Sequence, residues 1–254
     1  FERGALERTR ETILGSLREY WDSPIDFVDQ LARDIVYADH PYKKQVLGDA
    51  ISVSSITPDD IQRYHQENCS PRGAVISIVG DFGEQHDALI KVIESTLGAW
   101  EGTEVPRLIL PPLTPPQHKI IEYEIARDQV VLGFVAPSVK RYDPLFEVLA
   151  LLDVILLGGS SRSMGSRLFS LRERTGLFYT IGGSLVMGAA QGEGYSIIKT
   201  VVSADAARYA RDEIFRVLDE LASAGISEQE FGDAKRALVQ SSVGFFESNL
   251  SIAS

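Results

Sequence analysis

Leu6, Ile13, Leu14, Leu17, Tyr20 and Trp21 recur at helical spacing along one stripe, and Ser16 falls on the same stripe. The pattern predicts an amphipathic helix over residues 1–22, broken by Ser23-Pro24. Phe27, Leu31 and Ile35 carry the rhythm into a second helix over 25–36, and Asp39-His40-Pro41 reads as a loop. Thr57-Pro58-Asp59-Asp60 has the chemistry of a helix start: a capping Thr, Pro at the first helical position, and acids in the first turn. That helix should run to about Asn68. Residues 74–80 (AVISIVG) then form a mostly apolar run closed by Gly80-Asp81, the pattern of a short buried strand. Leu89, Val92, Ile93 and Leu97 mark one side of a helix over 84–99.

The rhythm fails from Glu101 to His118, where Pro106, Pro111, Pro112, Pro115 and Pro116 stand without periodicity. A semi-rigid linker is expected there, dividing the chain into domains at 1–100 and 119–254, joined through 101–118. Past the linker, Ile121, Tyr123 and Ile125 alternate with acids as a half-exposed strand does, and Val130–Val135 reads as a central strand. Asp143-Pro144 opens a helix over 145–157, expected to be buried on most sides. A strand follows at 194–203 and a helix at 204–223, with Ile214, Val217 and Leu221 inward and Gly225 as its stop. Ser227-Glu228-Gln229-Glu230 is a capping box that launches a last helix bearing Phe231, Leu238, Val239, Phe245 and Phe246. Laid at an offset of 225, Phe231 falls on Leu6, Leu238 on Ile13, Val239 on Leu14, and Phe245-Phe246 on Tyr20-Trp21. The echo suggests two homologous α+β domains, the chain entering late in the first and leaving before the end of the second.

Residues 158–183 (GGSSRSMGSRLFSLRERTGLFYTIGG) combine a Gly/Ser-rich loop, a short amphipathic helix and the start of a strand. Gly176 reads as the helix stop, because glycine takes the left-handed turn freely. Arg172 belongs to the last turns before it and Tyr179 to the strand after it. Two long, polar-tipped side chains flanking one sharp turn could grip a peptide backbone; equally, they could be a solvated Arg and a sheet Tyr.

Composition narrows the function classes. Hydrophobic residues make up 44% and charged residues 24%, ordinary for a soluble globular protein. The 36 acids outnumber the 25 bases, for a net charge of −11, which argues against nucleic acid and anionic membrane as partners. Cys69 is the only cysteine, so there is no disulfide framework. His65 and Cys69 stand four apart, but no second pair completes a metal motif, and His40 has no partner at ligand spacing. The apolar run Leu145–Leu157 falls short of the ~20 residues a membrane span needs. Phe1 is not a natural start and no signal peptide is visible, so the chain reads as a fragment. The compartment stays open between bacterial cytoplasm, periplasm and mitochondrial matrix.

Four stretches, LERTRETILGSLREYWDSP (6–24), HPYKKQVLG (40–48), SITPDDIQRYHQENCSPRGAVISIVGDF (55–82) and MGSRLFSLRERTGLFYTI (164–181), together resemble the pitrilysin/insulinase family of zinc metallopeptidases. They are most similar to its shorter, two-subunit branch, which includes mitochondrial processing peptidase. The resemblance implies an α+β fold of two homologous domains, each an antiparallel sheet covered by helices. It also implies an inverted H-x-x-E-H zinc site that would lie upstream of Phe1, with a third ligand from the helix over 1–22. The ligand position falls on Ser16, and a second acid usual in the family falls on Thr9. A neutral hydroxyl on a short side chain neither reaches a zinc ion nor supplies charge, and Glu11 and Glu19 would need the helix to slide or rotate. No zinc is therefore expected in this chain.

In the two-subunit branch, the zinc-less subunit contributes an Arg and a Tyr that bind substrate near the scissile bond. By resemblance these are Arg172 and Tyr179. The implied function is a zinc-less subunit, or inactive domain, that binds peptide or unfolded polypeptide and assists proteolysis by a homologous zinc-bearing partner. The alternatives are a structural subunit without a protease role and an active zinc endopeptidase with a displaced ligand such as Glu19.

Overall fold

The computed structural model describes residues 2–105, 109–111, 113, 120–125, 127–159 and 165–253. The chain packs as two units, one comprising residues 1–17, 47–109 and 242–254, the other residues 18–46 and 110–241.

The first unit takes the start of α1 (Arg3–Asp22); α2 (Pro24–Tyr37) belongs to the second. Next in the first unit come α3 (Ala50–Ser55), α4 (Pro58–Asn68) and α5 (His86–Leu97). The start of α4 is as expected: Thr57 Oγ1 accepts from the Asp60 N–H at 3.2 Å, and the Asp60 carboxylate accepts from the Thr57 N–H at 2.9 Å. Asp49 caps α3 in the same way. Arg10 of α1 donates to the carbonyl oxygens of Val53 and Ile56, tying α1 to the end of α3. Apolar burial is thin here, with Leu17 and Val53 its buried hydrophobics among the described residues.

Residues 74–79, expected as a buried strand, form no ladder among the described residues, and Val75 is 90% exposed. A strand is a property of a pair: without a neighbour to exchange N–H and C=O bonds, an apolar run has nothing to hold it extended. The expected apolar side of α5 is only half-covered, at Leu89 and Ile93, while Val92 and Leu97 are exposed.

The second unit is built on an antiparallel sheet of β1 (Gln129–Pro137), β2 (Thr180–Met187) and β3 (Tyr195–Ser203), in the order β1-β3-β2. The strand expected to be central is thus an edge strand among the described residues, and β3 takes the middle. Its burial shows why. Ile198 and Val202 face one way, into a core with Leu156 of α6 (Phe146–Leu157), Leu168 and Leu171 of α7 (Arg167–Thr175), and Ala210, Ile214 and Val217 of α8 (Ala207–Ala224). Tyr195 and Ile197 face the other way, against Ala32, Val36 and Tyr37 of α2. Successive strand residues point to opposite faces, so both faces of β3 are covered.

Gly133 of β1 lets α2 approach closely, since a Cβ there would stand 2.5 Å from Val28 Cγ1. Tyr37 donates to the Glu193 carbonyl at 3.0 Å, and burial pushes its phenol up to about 12. His40, expected in a loop, is buried between the rings of Tyr37 and Tyr42, its Nδ1 accepting from the Tyr42 N–H at 3.1 Å. Residues 121–125 carry no ladder among the described residues; Tyr123 packs edge-on against Phe27 at 4.8 Å. Helix α9 (Glu228–Val243) starts at the expected capping box, and α10 (Asn249–Ala253) closes the described chain in the first unit. Helix α6 buries Asp153–Leu156, four successive positions that point all round the helix, so its second half is covered on most sides as expected, while Glu147 and Val148 near its start are exposed.

Candidate functional site

The geometry around Arg172 and Tyr179 starts from the roll of α7. Leu168 and Leu171 are fully buried, which turns Phe169 and Arg172 to the outer face three positions apart. Gly176 ends the helix with φ +65°, and its N–H closes on the Arg172 carbonyl at 2.9 Å. An added Cβ at Gly176 would meet nothing within 4 Å, so glycine is required there for its backbone conformation and not for space. The chain then alternates. Phe178 enters the core and Tyr179 turns out, 78% exposed, while its N–H donates to the Val201 carbonyl at 3.0 Å.

Arg172 and Tyr179 are thereby brought to one open depression of about 540 Å³. Glu173, Gly176, Leu177 and Phe178 line it between them, and Gln129, Val202 and Ser203 complete it. These last residues meet because Gln129, at the start of β1, pairs with Ser203, at the end of β3. The depression sits at one end of the sheet, where α7 hands the chain to β2. The Arg172 guanidinium stands 5.3 Å over the Phe169 ring centroid and pairs with the Glu173 carboxylate at 3.0 Å. A guanidinium and a phenol are both hydrogen-bond donors suited to carbonyl oxygens.

Ser16 lies half-buried in the middle of α1, next to buried Leu17, while Thr9, Glu11 and Glu19 are exposed. Among the described residues, no group of three or more His, Cys, Asp or Glu is placed to hold a metal ion. A zinc ion takes Cys, His or carboxylate ligands, so Ser16 does not fit one. The Gly/Ser-rich stretch 158–166 is described only at its ends, residues 160–164 lying outside the described residues. The same holds for much of the proline-rich 101–118.

Residues 55–238 match the family model described as Peptidase M16 inactive domain. The chain belongs to this family. An M16 inactive domain is what the α+β architecture suits. A relative described as an uncharacterised zinc protease, from Mycobacterium bovis, is 27% identical over 248 residues, covering 92% of this chain and 52% of that protein. A protein of Schizosaccharomyces pombe described as "Probable mitochondrial-processing peptidase subunit beta" is 29% identical over 105 residues, or 38% of this chain and 21% of that one. The crystal structure of a peptidase M16 inactive domain from Pseudomonas fluorescens superposes with a TM-score of 0.85 at 24% identity, covering all of this chain and 58% of that one. The chain spans about half the length of the curated relatives it matches. No helix among the described residues is long and apolar enough to cross a membrane.

Two residues that line the M16 depression, Glu173 and Gln129, and one beneath Arg172, Phe169, escaped the sequence reading. Phe169 had a signal, its i−3 spacing from Arg172 on the helix face. Glu173 looked like one more solvated charge. Gln129 had no local signal at all, since only the pairing of β1 with β3 places it there.

Proposed function

We propose that this M16 inactive domain acts as the zinc-less, peptide-binding half of a heterodimeric metallopeptidase whose zinc resides in a homologous partner subunit. Residues 1–100 are then the end of one peptidase-like domain, 101–118 a linker, and 119–254 most of a second. The observation that carries the reading is the convergence of Arg172 and Tyr179 on one depression at the end of the sheet. It is supported by Ser16 of α1, which by the family resemblance occupies the position of a metal ligand and cannot serve as one.

An extended peptide laid across the depression meets two donors, the Arg172 guanidinium and the Tyr179 hydroxyl, within one short stretch of its backbone. A zinc ion held by such a partner would supply an activated water, and as that water attacked a carbonyl carbon, negative charge would grow on the carbonyl oxygen. A donor aimed at that oxygen binds the transition state more tightly than the ground state. This chain therefore orients the peptide and steadies developing charge, and it contributes no nucleophile.

The test is an assay of peptide cleavage with the full-length protein and its zinc-bearing homologue combined. Arg172→Ala should lower kcat/KM by about 10²–10³, the usual cost of one oxyanion donor, and Tyr179→Phe should lower it in the same direction. Unchanged rates for both variants would sink the proposal.

A further inference from the structure

Arg172 does not stand free in solvent. Its Cζ lies 5.3 Å from the Phe169 ring centroid, inside the ~6 Å range over which a ring quadrupole attracts a cation. Its Nη1 donates to Glu173 Oε1 at 3.0 Å, and the side chain is 35% exposed. The ring itself is steadied from below, because Phe169 is half-buried and its neighbours Leu168 and Leu171 are locked in the core. The bidentate pair of Arg167 with Glu230 fixes the start of the same helix. A long flexible side chain on an exposed helix end has thus been given one orientation by a ring beneath it and a carboxylate beside it.

An unrestrained arginine must give up its rotamer freedom when it binds, and that loss subtracts from affinity. A guanidinium already held in place has less to lose. Glu173 engages one of the five N–H donors, which leaves others for a peptide carbonyl. We propose that Phe169 and Glu173 are positioning residues, holding the Arg172 guanidinium against the wall of the depression before a peptide arrives. The proposal rests on the peptide-binding reading given above. Neither residue touches the peptide in it; each acts through Arg172.

The experiment measures binding of a fluorescein-labelled, unstructured β-casein peptide to the intact chain by fluorescence anisotropy. Phe169→Leu keeps the apolar volume and removes the ring; Glu173→Gln keeps the shape and removes the charge. Each should weaken binding about 2- to 5-fold, and Phe169→Tyr should restore it, since a phenol ring has the same π face. In an Arg172→Ala background, neither Phe169→Leu nor Glu173→Gln should change affinity further. Full-sized effects persisting without Arg172, or no effect in its presence, would overturn the positioning role while leaving peptide binding intact. If Arg172→Ala alone leaves affinity unchanged, the peptide-binding reading fails, and the positioning role fails with it.

Discussion

Glu230 illustrates how one carboxylate can serve two elements. Its Oε1 accepts from Arg167 Nε at 2.7 Å and its Oε2 from Arg167 Nη2 at 3.0 Å, a two-pronged pair joining α7 to α9. The same Oε2 accepts from the Ser227 N–H at 2.8 Å and so caps α9. Hydrogen bonding from Arg167, reinforced by Ser227, brings the Glu230 carboxyl from 4.5 down to about 2 despite an opposing desolvation cost. A carboxyl depressed in the folded state stabilises the fold fully above its unfolded value, and that stability is lost as pH falls from 4.5 toward 2. Urea midpoints should therefore drop over that window. Glu230→Gln should cost about 1–2 kcal/mol at pH 7, because the pair is partly solvated, and should flatten the acid limb. A variant with the wild-type acid limb would show that Glu230 does not carry it.

At the scale of elements, Asp153 is the clearest join. It is a charge within the otherwise apolar run of α6. In the fold, its Oδ1 accepts from the Leu185 N–H at 2.5 Å, where β2 loses register with β3 between Ser184 and Met187. An irregular strand leaves backbone donors without ladder partners, and here a helix supplies the acceptor. Burial raises the Asp153 carboxyl, so the charged form is the costly part of the arrangement and the acceptor oxygen the useful part. Asp153→Ala should cost about 1–3 kcal/mol by stranding a buried N–H, while Asp153→Asn, which keeps an acceptor, should cost clearly less. Chemical denaturation of the two variants decides it, and equal losses would point to the charge instead. The contrast between Asp153 and the capping box at Ser227 marks what the sequence could reveal. Caps, stops and amphipathic faces are local, so α4, α7, α8 and the start of α9 were legible, whereas α9 ends at Val243, before the Phe245-Phe246 pair expected on it. Strand pairing is not local: among the described residues, 74–79 and 121–125 have strand chemistry without a ladder, and β1 yields the sheet centre to β3. The site follows the same rule. Arg172, Gly176 and Tyr179 lie within one short stretch and could be read together, whereas Gln129 arrives through cross-strand register alone.

For the molecule as a whole, apolar burial divides unevenly between the two units. Among the described residues, the first has Leu17 and Val53 as buried hydrophobics, while all three core clusters lie in the second. Since buried apolar area is the main favourable term in folding, the first unit of this chain should open at lower free energy than the second. Hydrogen exchange should find the amides of residues 58–68, 74–79 and 86–97 exchanging well before those of β3. The candidate site draws every one of its lining residues from the better-packed unit. Arg172 and Tyr179 are held by α7, β2 and the end of β3, and no residue of the first unit takes part. Peptide affinity should accordingly persist at urea concentrations where α4 and α5 have already lost protection, and should vanish only with the protection of β3. Affinity falling in step with α4 and α5 would mean that the grip on a peptide extends beyond the depression at the end of the sheet.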